Sequence, residues 1–258
     1  MDTEINFFLI TFIVFIIILT VYYPISGHKT VKKLKARIAS GDNSVKTKFY
    51  YGTALWSWGL SIAIIISLII SNASMKAIGI RWIDFNTYSV PKWITYVIVG
   101  FYCIHLIFNL YSIVLFKFNE KSRIKAAKSV PNHLKWIFPI SKKEKQAWTF
   151  TSITAGITEE IMYRGYLFFA LKIIFLQLNV IHLLVISTLI FGLGHIYLGK
   201  EVIKSTLLGL FFGVYYIVFG SLIPVIIIHI AQDLVLRDMF KSNSKESSDS
   251  NAENITKS

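Results

Sequence analysis

The sequence contains few charged residues for its length. Only 16% of the 258 residues are charged, whereas soluble domains carry about 25%. With 54% hydrophobic residues, the chain does not have the composition of a soluble domain. It has one cysteine, Cys103, so an intrachain disulfide is excluded. These shortages predict a membrane protein.

Acidic residues are scarcer than basic ones, with 14 Asp and Glu against 27 Lys and Arg. The basic residues cluster at 28–48 and 117–145, and long uncharged runs flank both clusters. Basic clusters beside membrane spans orient a protein and attract anionic lipid headgroups. We therefore predict contact with a lipid bilayer and no binding of nucleic acid.

Seven apolar segments follow one another along the chain. About 20 residues of helix cross the hydrocarbon core of a bilayer, and the first three segments are longer than that. The predicted fold is therefore all-α, a polytopic transmembrane helix bundle of about seven spans. The segments cover residues 5–27, 49–75, 93–116, 147–176, 181–198, 202–219 and 222–240.

The distribution of basic residues predicts an N-out/C-in orientation. Loops 26–48 and 117–146 are rich in Lys and Arg. Loop 72–92 has only three basic residues, which are Lys76, Arg81 and Lys92. Cytoplasmic loops carry the excess of Lys and Arg in membrane proteins. The two rich loops are therefore predicted to be cytoplasmic.

Three charged residues interrupt the fourth apolar segment, within the sequence TEEIMYR. A charged side chain at the centre of a spanning helix costs about 2.5–3.5 kcal/mol, so these residues need partners or a wet cavity. Glu160 and Arg164 are four residues apart and can pair on one helix face. Glu159 is about 100° further round the helix and is left free to face another group.

Two further polar motifs lie in the fifth and last segments. FGLGH places His195 four residues after Phe191, and HIAQD places Asp233 four residues after His229. At 1.5 Å per residue, Glu159 and His229 both lie about 15 Å from the inner ends of their helices. We predict that they meet, with His195 nearer the surface, in a cavity open to the cytoplasm.

Other polar and small residues are predicted to have structural roles. His105 and Asn109 are expected to form helix–helix hydrogen bonds, and Lys172 to extend toward the membrane interface. Tyr163 and Tyr166 are expected to support the motifs by packing or hydrogen bonding. A stripe of small residues in the sixth segment predicts close helix packing that holds the motif helices together; it consists of Ser205, Gly209 and Gly213.

The three motifs, in this order and about 30 residues apart, resemble those of the CPBP family. This family comprises the CAAX-protease and bacteriocin-processing intramembrane proteases, also called Abi. The resemblance covers Thr149 to about Phe240. It identifies residues 147–240 as a CPBP-like catalytic helix core and implies site residues Glu159, Glu160, Arg164, His195, His229 and Asp233.

The resemblance implies that the protein is a protease. Glu159 and His195 would activate a water to attack a peptide carbonyl, and His229 would lie near the developing oxyanion. Glu160 and Arg164 would orient Glu159, and Phe191 would pack under the His195 ring. Since an ionised Asp cannot donate to an oxyanion, Asp233 is either protonated or accepts a hydrogen bond from His229 and holds its tautomer, and we expect the second.

A zinc mechanism is the alternative, with Glu159, His195 and His229 as ligands. Known zinc proteases usually place two histidines four residues apart on one helix, whereas these lie on separate helices. A mechanism without a metal or other cofactor is therefore favoured.

The predicted function is that of an intramembrane endopeptidase acting on a membrane-associated peptide or protein. The alternative is a non-catalytic membrane protein, such as a bacteriocin self-immunity factor or a scaffold. A transporter with a Glu159–His229 proton relay is disfavoured because no inverted repeat or broken-helix pair is visible.

The regions outside the motifs complete the predicted organisation. Residues 1–146 would form an N-terminal transmembrane region of three spans with basic cytoplasmic loops. Residues 241–258, rich in Ser, Asn and Lys, would be a disordered cytoplasmic tail. Lys outnumbers Arg and Ile is abundant, which suits a low-GC bacterial genome and a multi-pass protein of the bacterial plasma membrane.

Overall fold

The computed structural model describes residues 2–42 and 44–240, and every regular element within these ranges is a helix. This confirms the predicted all-α fold. The α-helices are α1 (Asp2–Ile17), α2 (Tyr23–Ala39), α3 (Val45–Ile70), α4 (Lys92–Phe118), α5 (Glu120–Ser129), α6 (Lys142–Glu160), α7 (Leu167–Ile174), α8 (Val180–Gly194), α9 (Val202–Phe219) and α10 (Leu222–Arg237). The connecting helical segments are of the π type at Ile18–Tyr22 and Ile161–Tyr166, and of the 3₁₀ type at Met75–Ile78, Asn132–Ile137 and Ile196–Glu201.

Within the described residues, four helical stretches are long and apolar enough to cross a membrane. Helix α8 is apolar but shorter. The seven-span count and the N-out/C-in orientation stay predictions, and the predicted disordered tail at 241–258 lies outside the described residues. The four candidate spans are Phe7–Ala39, Val45–Ile70, Lys92–Phe118 and Ile196–Phe219.

The first helix does not end near residue 27: residues 26–39, the first part of the predicted cytoplasmic loop, are helical, and their place outside the membrane stays a prediction. Helix α1 passes through the π segment Ile18–Tyr22 into α2, which ends only at Ala39. Lys and Arg are good helix formers, so the basic residues extend the helix. Val31 and Leu34 are buried against the bundle and fix this extension in place.

The beginnings of α3 and α6 are joined by a buried ion pair. Ser141 and Glu144 form a capping box at the start of α6. The Lys46 ammonium lies 3.1 Å from Glu144 Oε2 and donates to the Phe138 carbonyl oxygen at 2.7 Å. Further along the same two helices, Trp58 Nε1 donates to Thr154 Oγ1 at 3.2 Å. The N-terminal spans and the motif-bearing helices therefore share one core.

The fourth apolar segment forms one continuous helical run in which the hydrogen-bond pattern changes once. Helix α6 ends at Glu160, the π segment Ile161–Tyr166 follows directly, and α7 continues to Ile174. All six residues of the π segment are buried. A π segment inside a helix widens one turn and frequently occurs at functional sites. Here it begins at the residue after Glu160.

The predicted close packing of α9 is confirmed at its glycines. A Cβ added to Gly209 would lie 2.7 Å from the Phe191 ring and 3.2 Å from the Arg164 guanidinium. A Cβ on Gly213 would overlap Leu184 of α8. Helix α9 therefore approaches α8 and the π segment at a distance that only glycine allows.

We expect Gly209→Ala to lower the free energy of unfolding by about 1–3 kcal/mol, as overpacking does in other cores. The added methyl group would also push Phe191 and Arg164 out of place. Denaturation of the detergent-solubilised protein would measure the change. Gly100→Ala is the matched control, because a Cβ on Gly100 of α4 has nothing within 4 Å. Equal losses of stability in the two variants would contradict the prediction.

Candidate active site

A buried ion pair joins Glu160 to Arg164, as the spacing of four residues predicts. Arg164 Nη1 lies 3.0 Å from Glu160 Oε1, and the two side chains are 1% and 0% exposed. Arg164 Nη2 also donates to the Gly209 carbonyl oxygen of α9 at 2.8 Å. The guanidinium carbon lies 4.6 Å from the centre of the Phe191 ring. The arginine is thus fixed by three helical segments.

The same Glu160 oxygen also binds His229 of α10. His229 Nδ1 lies 2.7 Å from Glu160 Oε1. Because a carboxylate oxygen only accepts, Nδ1 carries the proton and donates it. Glu160 is therefore more than the local partner of Arg164, since it also connects α6 to α10.

The prediction that Asp233 accepts a hydrogen bond from His229 is wrong. Asp233 Oδ2 lies 4.0 Å from His229 Nε2, which is too far for a hydrogen bond. The spacing of four residues within α10 does place Asp233 on the Nε2 side of the ring. However, the Glu160 carboxylate approaches the ring from α6 and holds the other nitrogen. A contact between helices, which spacing cannot show, therefore orients the ring.

Glu159 is the acidic residue of the pair that reaches solvent. Its side chain is 21% exposed, whereas that of Glu160 is 0% exposed. Glu159 Oε2 lies 4.0 Å from His229 Nε2, so the predicted meeting of these two residues is confirmed. A gap of 4.0 Å is too long for a direct hydrogen bond, and a water could bridge it.

Three tyrosines lie within electrostatic range of the Glu159 carboxylate. They are Tyr23 of α2, Tyr163 of the π segment and Tyr197 of the 3₁₀ segment after α8. The packing role predicted for Tyr163 is confirmed, since its ring meets Phe191 edge to face. Sequence reasoning missed Tyr23 and Tyr197. For Tyr197, its position two residues after His195 was the one feature of the sequence that could have indicated a place near the site.

His195 lies at the end of α8, and its ring orientation is defined. Nδ1 lies 2.9 Å from the Phe191 carbonyl oxygen, which can only accept. A neutral His195 therefore carries its proton on Nδ1 and keeps a free electron pair on Nε2. The Phe191 ring packs against the imidazole at 4.5 Å between centres, as predicted. Within the described residues, His195 makes no hydrogen bond to Glu159 or His229.

The proposed zinc ligands do not converge in this structure. Across residues 2–42 and 44–240, no three His, Cys, Asp or Glu side chains are grouped so that they could hold a metal ion. Glu159 and His229 approach each other, but His195 does not complete a three-ligand set with them. The described residues therefore contain no preformed three-ligand group, and the choice between the metal-free and the zinc mechanism stays a prediction.

The helix–helix hydrogen bonds predicted for His105 are confirmed. Its Nδ1 lies 3.1 Å from the Tyr215 hydroxyl of α9, and its Nε2 lies 3.1 Å from Gln232 Oε1 of α10. Gln232 precedes Asp233, so α4 helps to fix the turn of α10 that carries the third motif. Asn109, one turn further along α4, is buried, but its side chain forms no hydrogen bond within the described residues, so the prediction for Asn109 is wrong.

These contacts define a polar cluster of carboxylates, imidazole and guanidinium inside a bundle of apolar helices. Residues 144–235 match a family model described as type II CAAX prenyl endopeptidase Rce1-like. The matched range contains all six predicted site residues, and the match confirms the resemblance to the CPBP family over that range. No curated protein and no solved structure matches the chain.

The family match has two direct consequences. The Rce1-like family implies a protease, and so a hydrolase. Together with the four apolar spans, it indicates a multi-pass membrane protein.

Proposed function

We propose that the protein is an intramembrane endopeptidase of the CPBP type, which hydrolyses a peptide bond of a membrane-associated peptide or protein. The observation that carries this proposal is that the two adjacent glutamates differ in burial and in their partners. Glu160 is fully buried and binds both Arg164 and His229, whereas Glu159 is partly exposed and 4.0 Å from the same ring. A purely structural cluster would not need the second, unpaired carboxylate.

Glu159 would act as the general base. A water between Glu159 and His195 loses a proton to the Glu159 carboxylate as its oxygen attacks the peptide carbonyl carbon. His195 can accept a hydrogen bond from this water at Nε2, because Nδ1 is bound to the Phe191 carbonyl. Collapse of the tetrahedral intermediate breaks the C–N bond, and the proton held by Glu159 passes to the leaving amine.

His229 would stabilise the oxyanion of that intermediate. Its Nδ1–H is used by Glu160, so the group free to donate is Nε2 in its protonated form. The carboxylates of Glu159 and Asp233, both 4.0 Å from Nε2, favour a proton on this nitrogen. Asp233 would thus act through charge rather than as the acceptor that fixes the tautomer.

The proposal places the site in residues 147–240, in a cavity open to the cytoplasm of an N-out/C-in bundle. Residues 1–146 would form the remaining wall of this cavity. Tyr23, which lies outside the matched range and close to Glu159, supports this arrangement.

Comparative proteomics of membranes tests the proposal and can identify the substrate in the same experiment. Cells producing the wild type should contain cleaved products that are missing from cells producing Glu159→Gln, where the uncut precursor accumulates. Glu201→Gln is the control, since the Glu201 side chain is also 21% exposed but pairs with Lys204 outside the polar cluster. If Glu159→Gln inserts normally and leaves every membrane protein and the cellular phenotype unchanged, the non-catalytic immunity or scaffold function replaces the protease.

A further inference from the structure

A groove far from the polar cluster combines basic and apolar side chains. It has a volume of about 470 Å³ and lies where α7 ends beside the segment between α3 and α4. Lys172 is twelve residues beyond Glu160 along one helical run, or about 18 Å at the α-helical rise. The groove is therefore not part of the candidate active site. We name it the basic groove; its lining includes Lys76, Arg81, Lys172, Phe169, Ile173 and Leu176.

The basic groove has more positive than negative charge. Lys76 and Lys172 are exposed, and neither forms an ion pair with any described carboxylate. Arg81 is held in place because its Nε donates to the Gly220 carbonyl oxygen at 2.7 Å. Its nearest carboxylate, Asp84, lies 3.9 Å from Nη1. Three cations thus face one carboxylate, which pairs with Arg81, and an added anion would balance the two lysines.

The apolar wall of the basic groove continues onto the outer surface of the bundle. Ile173 is 49% exposed and Leu176 is 86% exposed, although both are hydrophobic. They lie directly beside Lys172 at the end of α7. A ligand that fills the groove would therefore combine an anionic group with a hydrocarbon part.

The position of the basic groove relative to the membrane follows from nearby aromatic residues. Helix α3 ends at Ile70 and α4 begins at Lys92, so the segment between them lies at a membrane surface. Trp82, Trp93 and Tyr96 are 83%, 69% and 72% exposed at this end of the bundle. Exposed Trp and Tyr are typical of the headgroup level. The groove thus lies at headgroup level, whichever side of the membrane it faces.

We propose that the basic groove binds one anionic phospholipid. Its phosphate would lie between Lys76 and Lys172, and one acyl chain would lie along Ile173 and Leu176. Inorganic phosphate would satisfy the cations but leave the apolar wall exposed, and a neutral phospholipid would leave the cations unbalanced. This inference is independent of the proposed protease activity, because it uses no residue of the active site.

The test compares lipids and variants on the full-length protein in detergent micelles. Native mass spectrometry would count bound phosphatidylglycerol, and thermal denaturation would report the stabilisation that it gives. Each lysine near an anionic lipid contributes about 1 kcal/mol. Lys76→Gln/Lys172→Gln should therefore weaken phosphatidylglycerol binding about 30-fold, as two such contributions convert to that ratio. Phosphatidylcholine should stabilise the wild type much less than phosphatidylglycerol.

Lys92→Gln/Lys128→Gln removes two charges outside the basic groove and should bind phosphatidylglycerol like the wild type. Equal weakening in both double variants would show that overall charge, not the groove, attracts the lipid. Full stabilisation by inorganic phosphate alone, or by phosphatidylcholine, would also overturn the proposal. The variants act on exposed side chains, so their folding can be verified independently by the unchanged denaturation of the lipid-free protein.

Discussion

Glu160→Leu is expected to lower the free energy of unfolding by about 3–5 kcal/mol, the cost of breaking a buried ion pair from one side. The substitution removes the acceptor of both Arg164 and His229 and leaves the guanidinium buried without its counter-charge. Activity should be lost together with stability. Unfolding of the detergent-solubilised protein by a denaturing detergent would give the free energy.

Two further variants make this prediction specific. Glu201→Leu breaks a pair with Lys204, whose side chain is 76% exposed, and ion pairs open to solvent contribute only about 0–1 kcal/mol. Glu160→Leu/Arg164→Met removes both charges of the buried pair, so part of the lost stability should return. If Glu160→Leu cost no more than Glu201→Leu, the buried pair would not be a stabilising connection between helices.

Glu159→Gln and His195→Ala are expected to lower kcat by about 10²–10⁴ each, the usual contribution of a general base. Both variants should unfold at the wild-type denaturant concentration, because neither side chain binds a buried charge at hydrogen-bond distance. The double variant should be hardly slower than either single variant, since the two residues act on one water. The measurement needs purified protein and the precursor found by proteomics.

The additivity of these two substitutions decides between mechanisms. If the decrease in kcat of the double variant equals the product of the two single decreases, Glu159 and His195 act in separate steps, contrary to the proposal. Glu201→Gln again serves as the control and should retain wild-type kcat. Wild-type kcat in Glu159→Gln would rule out this residue as the base.

The spacing of residues along single helices predicted the local contacts of the site. Glu160–Arg164 and Phe191–His195 are each four residues apart, and both contacts form as predicted. The glycines of α9 indicated close packing for the same reason, since a stripe on one helix is a local pattern. Val202–Phe219 was predicted with the bounds that the structure shows.

Contacts between helices could not be predicted in the same way. Spacing suggested that Asp233 would hold His229, but which carboxylate lies nearer depends on how α6 packs against α10. The approach of Tyr23 to Glu159 joins residues 136 positions apart, and no pattern in one sequence encodes such a pair. The basic helix end at Ala39 was missed because charge was taken as the end of a helix, although Lys and Arg favour helices.

The π segment at Ile161–Tyr166 affects how the helical run from α6 to α7 should be aligned with other sequences. A π turn holds one residue more than the α-helical pattern needs, so α7 is rotated by about 100° from where an unbroken α6 would carry it. The residues of α7 that are buried in this orientation include Phe168 and Leu171. Comparing the chain with a protein whose equivalent helix is regular therefore requires a one-residue gap between Glu160 and Leu167. Without the gap, either the glutamates or the buried face of α7 would be aligned with the wrong partners.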